Sequence, residues 1–169
     1  MDRLPIEFAN GTSVEGEMKI TYKGDYALKA LLQLALHYNE GGVLSITEIA
    51  KLGDMPVKFL EQILLALRKG GFVNAKRGVR GGFALAHEPK DITVGEVIRF
   101  IEGPIEPISC VEEGHYKGCK DISCCIFRGV WKEVSHAISV VVDTLTFEEL
   151  VIRYKEKNLN AGTIYEYSI

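Results

Sequence analysis

Four cysteines, Cys110, Cys119, Cys124 and Cys125, fall inside a sixteen-residue window of a 169-residue chain that has no other cysteine. Thiols packed this densely point to one piece of sulfur chemistry, and three kinds are open: a structural metal, a redox disulfide or an iron–sulfur cluster. A structural zinc site favours Cys-x-x-Cys knuckles, and none occurs here. The adjacent pair Cys124-Cys125 keeps a disulfide switch in play. Catalytic thiol chemistry needs a base held close, and no Cys–His arrangement stands out. Soft sulfur ligands match the irons of a cluster, and a loop lets several of them converge.

The elements around this window must position it. A chain of 169 residues fits one domain, or one small domain with an appended element, and an apolar fraction of 47% is enough for a packed core. No apolar run approaches the ~20 residues needed to cross a bilayer, and Met1 to Glu17 lacks the charged-then-apolar layout of a signal peptide. The expectation is a cytoplasmic protein, in a compartment where clustered cysteines favour metal binding or catalysis over structural disulfides. The net charge of −3 conceals an asymmetry. Lys58, Arg68, Lys69, Lys76, Arg77 and Arg80 face a single acid, Glu61, between 58 and 80. Glu102, Glu106, Glu112 and Glu113 gather instead near the first cysteine. A basic stripe on an acidic chain suits a nucleic-acid face.

Residues 1–17 are polar and aperiodic and read as a flexible tail, with Met18 as an alternative start. From Gly24 to Tyr38, Leu28, Leu31, Leu32 and Ala35 recur on one helical face. Ser45-Ile46-Thr47-Glu48 has the form of a capping box opening a short helix that ends near Gly53. Asp54 and Pro56 give a second start signal, for a helix carrying Phe59, Leu60, Ile63, Leu64 and Leu67. Two short strands around the glycine-rich tip Gly78 to Gly82 make a hairpin. Thr93-Val94-Gly95-Glu96 caps a helix to about Glu102, and Gly103-Pro104 begins the cysteine loop. Beyond it, Phe127, Trp131, Val134, Ile138, Val141 and Leu145 are spaced 4-3-4-3-4, the interval of a seam against another helix. Thr146-Phe147-Glu148-Glu149 caps a last short helix into Val151 and Ile152.

The order helix, helix, turn, helix, glycine-tipped hairpin is that of a winged helix–turn–helix. Its third helix enters the major groove, where Lys58, Glu61 and Gln62 are the exposed candidates. Gln pairs bidentately with adenine, Glu accepts from cytosine N4, and Lys suits guanine or a phosphate. In the wing tip, Arg77 and Arg80 suit the backbone or the minor groove. The competing reading is a solvated helix face and an ordinary hairpin.

The chain resembles the IscR/NsrR-type (Rrf family) bacterial transcription regulators. The residues that carry the resemblance are Met18-Lys19-Ile20-Thr21 and Asp25-Tyr26-Ala27-Leu28, then Phe59-Leu60-Glu61-Gln62-Ile63-Leu64. They continue with Leu67 to Val73, Arg77-Gly78-Val79-Arg80-Gly81-Gly82-Phe83, and Ile92 to Ile98. The similarity runs from about Met18 to Ile152. It implies base contacts by Glu61 and Gln62 and a minor-groove arginine at Arg77; a serine common in that helix is Lys58 here. Redox-, iron–sulfur- or nitric-oxide-sensing members carry three cysteines before a long dimerisation helix, the last six residues ahead of a tryptophan. That implies an iron–sulfur cluster, [2Fe-2S] or [4Fe-4S], on Cys110, Cys119 and Cys125, with Cys124 spare, although Cys124 and Cys125 are interchangeable candidates. The fourth ligand is open. One branch uses a histidine where Arg128 stands here; another uses an acid from the partner subunit, at the place of Asp25. Asp25 is equally suited to favour the positive end of the first helix dipole; His115 and Cys124 are local alternatives, and His115 reads as a solvated loop residue.

The expected architecture is mainly α with a small β-hairpin wing, a winged helix–turn–helix plus a long dimerisation helix. Its parts are a tail (1–17), a DNA-binding domain (18–103), a cysteine-rich cluster loop (104–124), a dimerisation helix with a short C-terminal helix (125–157) and a tail (158–169). The expected function is a homodimeric sensor-regulator binding a partly palindromic double-stranded DNA operator. Loss of ligation by Asp25 frees the first helix and shifts the two DNA-binding modules. The alternative is a regulator of the same fold without cofactor, working as a thiol switch or through a partner protein. No enzyme is expected, and no membrane partner.

Overall fold

The computed structural model describes residues 20–78, 81–111 and 124–165. Helix α1 (Tyr22–Leu36) begins at Thr21, whose hydroxyl accepts the Lys23 N–H at 3.1 Å. It buries Ala27, Ala30, Leu31, Leu34 and Ala35. The apolar stripe thus centres on alanines and two leucines, while Leu28 and Leu32 lie half-buried along its edge. Helix α2 (Ile46–Gly53) starts with the capping box that the sequence predicts: Ser45 and Glu48 satisfy each other's backbone N–H groups. Asp54 plays a different part from the expected start signal. It closes α2 in the left-handed region at φ 51°, which Asp tolerates better than most residues. Pro56 is the N-cap of the next helix, α3 (Val57–Lys69).

Helix α3 buries Leu60, Ile63, Leu64 and Leu67 against α1 and α2. Phe59, expected in that face, is 43% exposed. Strands β1 (Val73–Lys76) and β2 (Gly82–Leu85) form the antiparallel hairpin in the register Val73↔Leu85 to Lys76↔Gly82. Its outer edge is tied down by Leu44, which exchanges two backbone hydrogen bonds with Phe83 at 2.8 and 2.9 Å. Gly82 is required at this crossing, because a Cβ there would run into the Leu44 carbonyl. The wing is therefore rooted in the residue just before the Ser45 cap.

Helix α4 (Val94–Glu102) opens with the second predicted capping box, Thr93 with Glu96. Next comes a single 3-10 turn at Ser109–Val111, and then, past the segment outside the described residues, α5 (Ile126–Thr144) and α6 (Phe147–Tyr165). The start of α6 is pinned beside that of α4: Val94 N–H donates to Leu145 and Phe147 N–H to Ile92, at 2.9 and 3.0 Å. Phe147 is fully buried in the main core, with Leu150 and Val151 packed against it. The last helix is longer than expected. Beyond Ile152 its described side chains are exposed, so no amphipathic pattern marks its length.

Helix α5 behaves differently from the others. Ile138, Val142 and Leu145 pack against Val94, Ile98 and Ile105, but no residue of α5 is buried. Ile126, Phe127, Val130, Val140 and Val141 are exposed, Phe127 by 69% and Val141 by 63%. Among the described residues no helix is long and apolar enough to cross a membrane.

Candidate nucleic-acid interface and cysteine site

The core face of α3 fixes what its other face presents. With Leu60, Ile63, Leu64 and Leu67 turned inward, Lys58, Glu61 and Gln62 are all exposed. Lys58 and Gln62 also line a groove of about 530 Å³ with Tyr22, Tyr26, Pro56 and Phe59. The Tyr26 and Phe59 rings meet edge to face at 5.7 Å, and Tyr22 lies 6.1 Å from Tyr26. This aromatic wall escaped the sequence reading. Its signal was available, since Tyr22 and Tyr26 are four apart on one helix and therefore on one face. Arg77 is exposed directly after β1, and Arg80 lies outside the described residues.

At the cysteine site, Cys125 is the N-cap of α5 and makes no side-chain capping bond. Cys110 sits in the 3-10 turn, half-buried, and Cys124 is exposed; none of the three is in a disulfide. The Arg128 Nε–H donates to the Cys110 carbonyl at 3.0 Å, while the Arg128 main-chain N–H donates to the Cys125 carbonyl at 3.3 Å. Two of the expected ligands are thus drawn to the first turn of one helix. Cys119 and His115 lie outside the described residues. Among the described residues no three His, Cys, Asp or Glu side chains come close enough to hold a metal ion. Asp25, in the first turn of α1, pairs with Lys29 at 2.7 Å. The hydrogen bond that Lys29 donates to that carboxylate holds the Lys29 pKa above its ordinary value. Asp25 also lines an open concavity of about 700 Å³ with Ile20, Thr21 and Tyr22.

Two links join this region to the DNA-binding module, and neither was legible in the sequence. The Thr21 N–H, the Thr21 hydroxyl and the Gly24 N–H all donate to Glu102 Oε1, at 3.1, 2.6 and 2.9 Å. One carboxylate at the end of α4 therefore satisfies the orphan donors at the start of α1, where a negative charge is favoured. The second link is Arg99 of α4, which donates to both Asp143 carboxylate oxygens and to the Ser139 hydroxyl of α5. Asp143 holds the guanidinium above its ordinary pKa. Hydrogen bonds thus connect α5 to α4 and α4 to the start of α1, the helix that carries Asp25.

Three helices in helix–turn–helix order, a wing rooted beside the second, and a solvated polar face on the third define a winged helix–turn–helix DNA-binding protein. Residues 20–153 match the family model described as Rrf2, an iron-dependent transcriptional regulator. The chain belongs to the Rrf2 family and is a DNA-binding transcriptional regulator. It is 42% identical over 137 residues to an rrf2-like HTH-type transcriptional regulator of Rhodobacter capsulatus, covering 78% of this chain and 91% of the relative. The fold is similar to that of CymR, the global cysteine regulator of B. subtilis, with a TM-score of 0.69 and 34% identity over 80% of this chain and 97% of that one. It is also similar to the IscR of T. potens, with a TM-score of 0.66 and 33% identity over 82% of this chain and 90% of that one.

Proposed function

We propose that this regulator is a homodimer that reads a partly palindromic operator and senses redox state, iron–sulfur status or nitric oxide through an iron–sulfur cluster. The ligands are Cys110, Cys119 and Cys125, with Asp25 of the partner subunit as the fourth and Cys124 as a spare. The observation that carries the sensing role is the hydrogen bond from Arg128 that holds the Cys110 backbone to the first turn of α5, where Cys125 is the N-cap. The donor chemistry fits, because thiolates are soft ligands for iron. The bound cluster would supply a centre that reacts with oxidants or nitric oxide.

The chain's own residues do the rest. An exposed ion pair within a helix is worth only ~0.3–0.5 kcal/mol, so Asp25 exchanges Lys29 for another partner at little cost. The concavity beside Asp25 gives room for the loop of a second subunit. Support for the dimer comes from the apolar surface of α5, which no other described residue buries. On release, Asp25 returns to Lys29, α1 relaxes against Glu102, and the spacing of the two α3 helices changes. On DNA, Gln62, Glu61 and Lys58 read base edges or phosphate, and Arg77 and Arg80 serve the wing.

The test is the visible and Mössbauer spectrum of protein purified without oxygen, with iron and acid-labile sulfide assays. Cys119→Ala should lose the visible absorption, and unchanged iron and sulfide in that variant would sink the cluster. The exposure of Cys124 next to Cys125 favours one alternative, a cofactor-free thiol switch. In that case the anaerobic protein is colourless, and operator binding responds to oxidant alone.

A further inference from the structure

We infer that Arg128 is the positioning residue of the cysteine site, holding the Cys110 backbone to the first turn of α5, where Cys125 is the N-cap, before any ligand binds. The inference deepens the reading above, because both cysteines are ligands in it, but it stands on hydrogen bonds alone. Arg128 lies in the first turn of α5 and is half-buried. Its main-chain N–H fastens it to the Cys125 carbonyl and its Nε–H reaches the Cys110 carbonyl, eighteen positions back in the chain. One residue therefore ties the 3-10 turn that holds Cys110 to the first turn of α5.

Chain closure is the costly step in bringing two distant thiols together, because the loop's conformational freedom is lost before any bond rewards it. A side-chain bond across the neck of the loop removes part of that cost in advance. Arginine suits the task. Its planar fork loses less freedom per hydrogen bond than a lysine does. Nε uses one of five N–H donors, which leaves four for other partners. Arg128 itself cannot be a ligand, having no acceptor lone pair.

The experiment uses the full chain with Cys119→Ser and Cys124→Ser, so that Cys110 and Cys125 are the only thiols. A short bis-maleimide in excess either bridges the two within one chain or adds once to each, and intact mass separates the one-reagent from the two-reagent product. The ratio reads proximity and is insensitive to the reactivity of either thiol. Arg128→Met, similar in length but without a donor, should lower the bridged fraction relative to the two-reagent product by several-fold to about tenfold, the range of one hydrogen bond. Arg128→Lys should recover part of it, and the thermal midpoint of all three proteins should coincide. An unchanged ratio in Arg128→Met at an unchanged midpoint overturns the inference. So does a ratio that falls only together with the midpoint, because Arg128 would then act on the fold and not on the pair. Iron and sulfide in the anaerobic wild-type chain separate the two readings: a cluster-free protein whose bridging still depends on Arg128 refutes the cluster and keeps the clasp.

Discussion

Replacing Gly24 with alanine should have opposite consequences depending on whether Glu102 is present. A Cβ at Gly24 would lie 2.5 Å from Glu102 Oε1, so the added methyl must push the carboxylate off the start of α1. That carboxylate accepts three hydrogen bonds, from Thr21 N–H, Thr21 Oγ1–H and Gly24 N–H. Hydrogen bonds to a charged group reach ~1.5–3 kcal/mol each at full burial. Two of these three are exposed, where screening leaves well under ~1 kcal/mol, so the cluster is worth about 1–2 kcal/mol. Against this, alanine is a better helix former than glycine by up to ~1 kcal/mol. Gly24→Ala alone should therefore be neutral to destabilising by about 1 kcal/mol, and Glu102→Ala should cost about 1–2 kcal/mol. In the Glu102→Ala background the carboxylate is gone and Gly24→Ala should stabilise, by up to ~1 kcal/mol. The coupling is read from urea unfolding of all four proteins at one protein concentration, since oligomerisation shifts apparent stability. In thermal melts each ~1 kcal/mol corresponds to roughly 2–4 °C for a chain of this size. An effect of Gly24→Ala that is the same in both backgrounds, within about 0.5 kcal/mol, would refute the clamp.

Other predictions follow from the same geometry. Gln62→Ala should lose about 1–3 kcal/mol of discrimination at one operator position, measured by anisotropy on an operator selected from random sequences; an equal loss on every sequence would argue for a phosphate contact. Val141→Glu on the exposed apolar face of α5 should convert a dimer to a monomer by sedimentation without loss of helix content, and an unchanged mass would move the interface elsewhere. The Ser45 hydroxyl and backbone N–H hold the Glu48 carboxyl below its ordinary range. A carboxyl with a depressed folded pKa stabilises above its unfolded value of about 4.3, and the contribution is lost as pH falls through the lower folded value. The stability gap between wild type and Glu48→Gln should therefore be constant near neutral pH and shrink below about pH 4. A gap that persists undiminished to about pH 3 would contradict the capping assignment.

Much of this protein is legible in one dimension because its local signals are short-range and redundant. The capping boxes at Ser45 and Thr93 are four-residue devices, and both helices begin where those residues stand. The inward face of α3 follows from the spacing of Leu60, Ile63, Leu64 and Leu67, which also dictates that Lys58, Glu61 and Gln62 face solvent. The hairpin is written in its glycines, and Gly82 has a reason beyond the turn in the carbonyl of Leu44. The length of α6 was not legible, because its described residues from Ile152 onward are exposed and carry no periodicity. Nor was the outward turn of Phe59, whose type suits a core and whose partner, Tyr26, is far away in sequence.

The sequence by itself determined the inventory: which helices form, which side chains the third presents, and that sulfur chemistry sits between two modules. Tertiary structure alone decided the connections among them. Arg128 to the Cys110 carbonyl, Glu102 to the start of α1 and Arg99 to Asp143 are bonds between residues 18 to 81 positions apart. No periodicity or propensity reports such pairs, because each partner alone is an ordinary polar residue whose role exists only once packing has brought the other within reach.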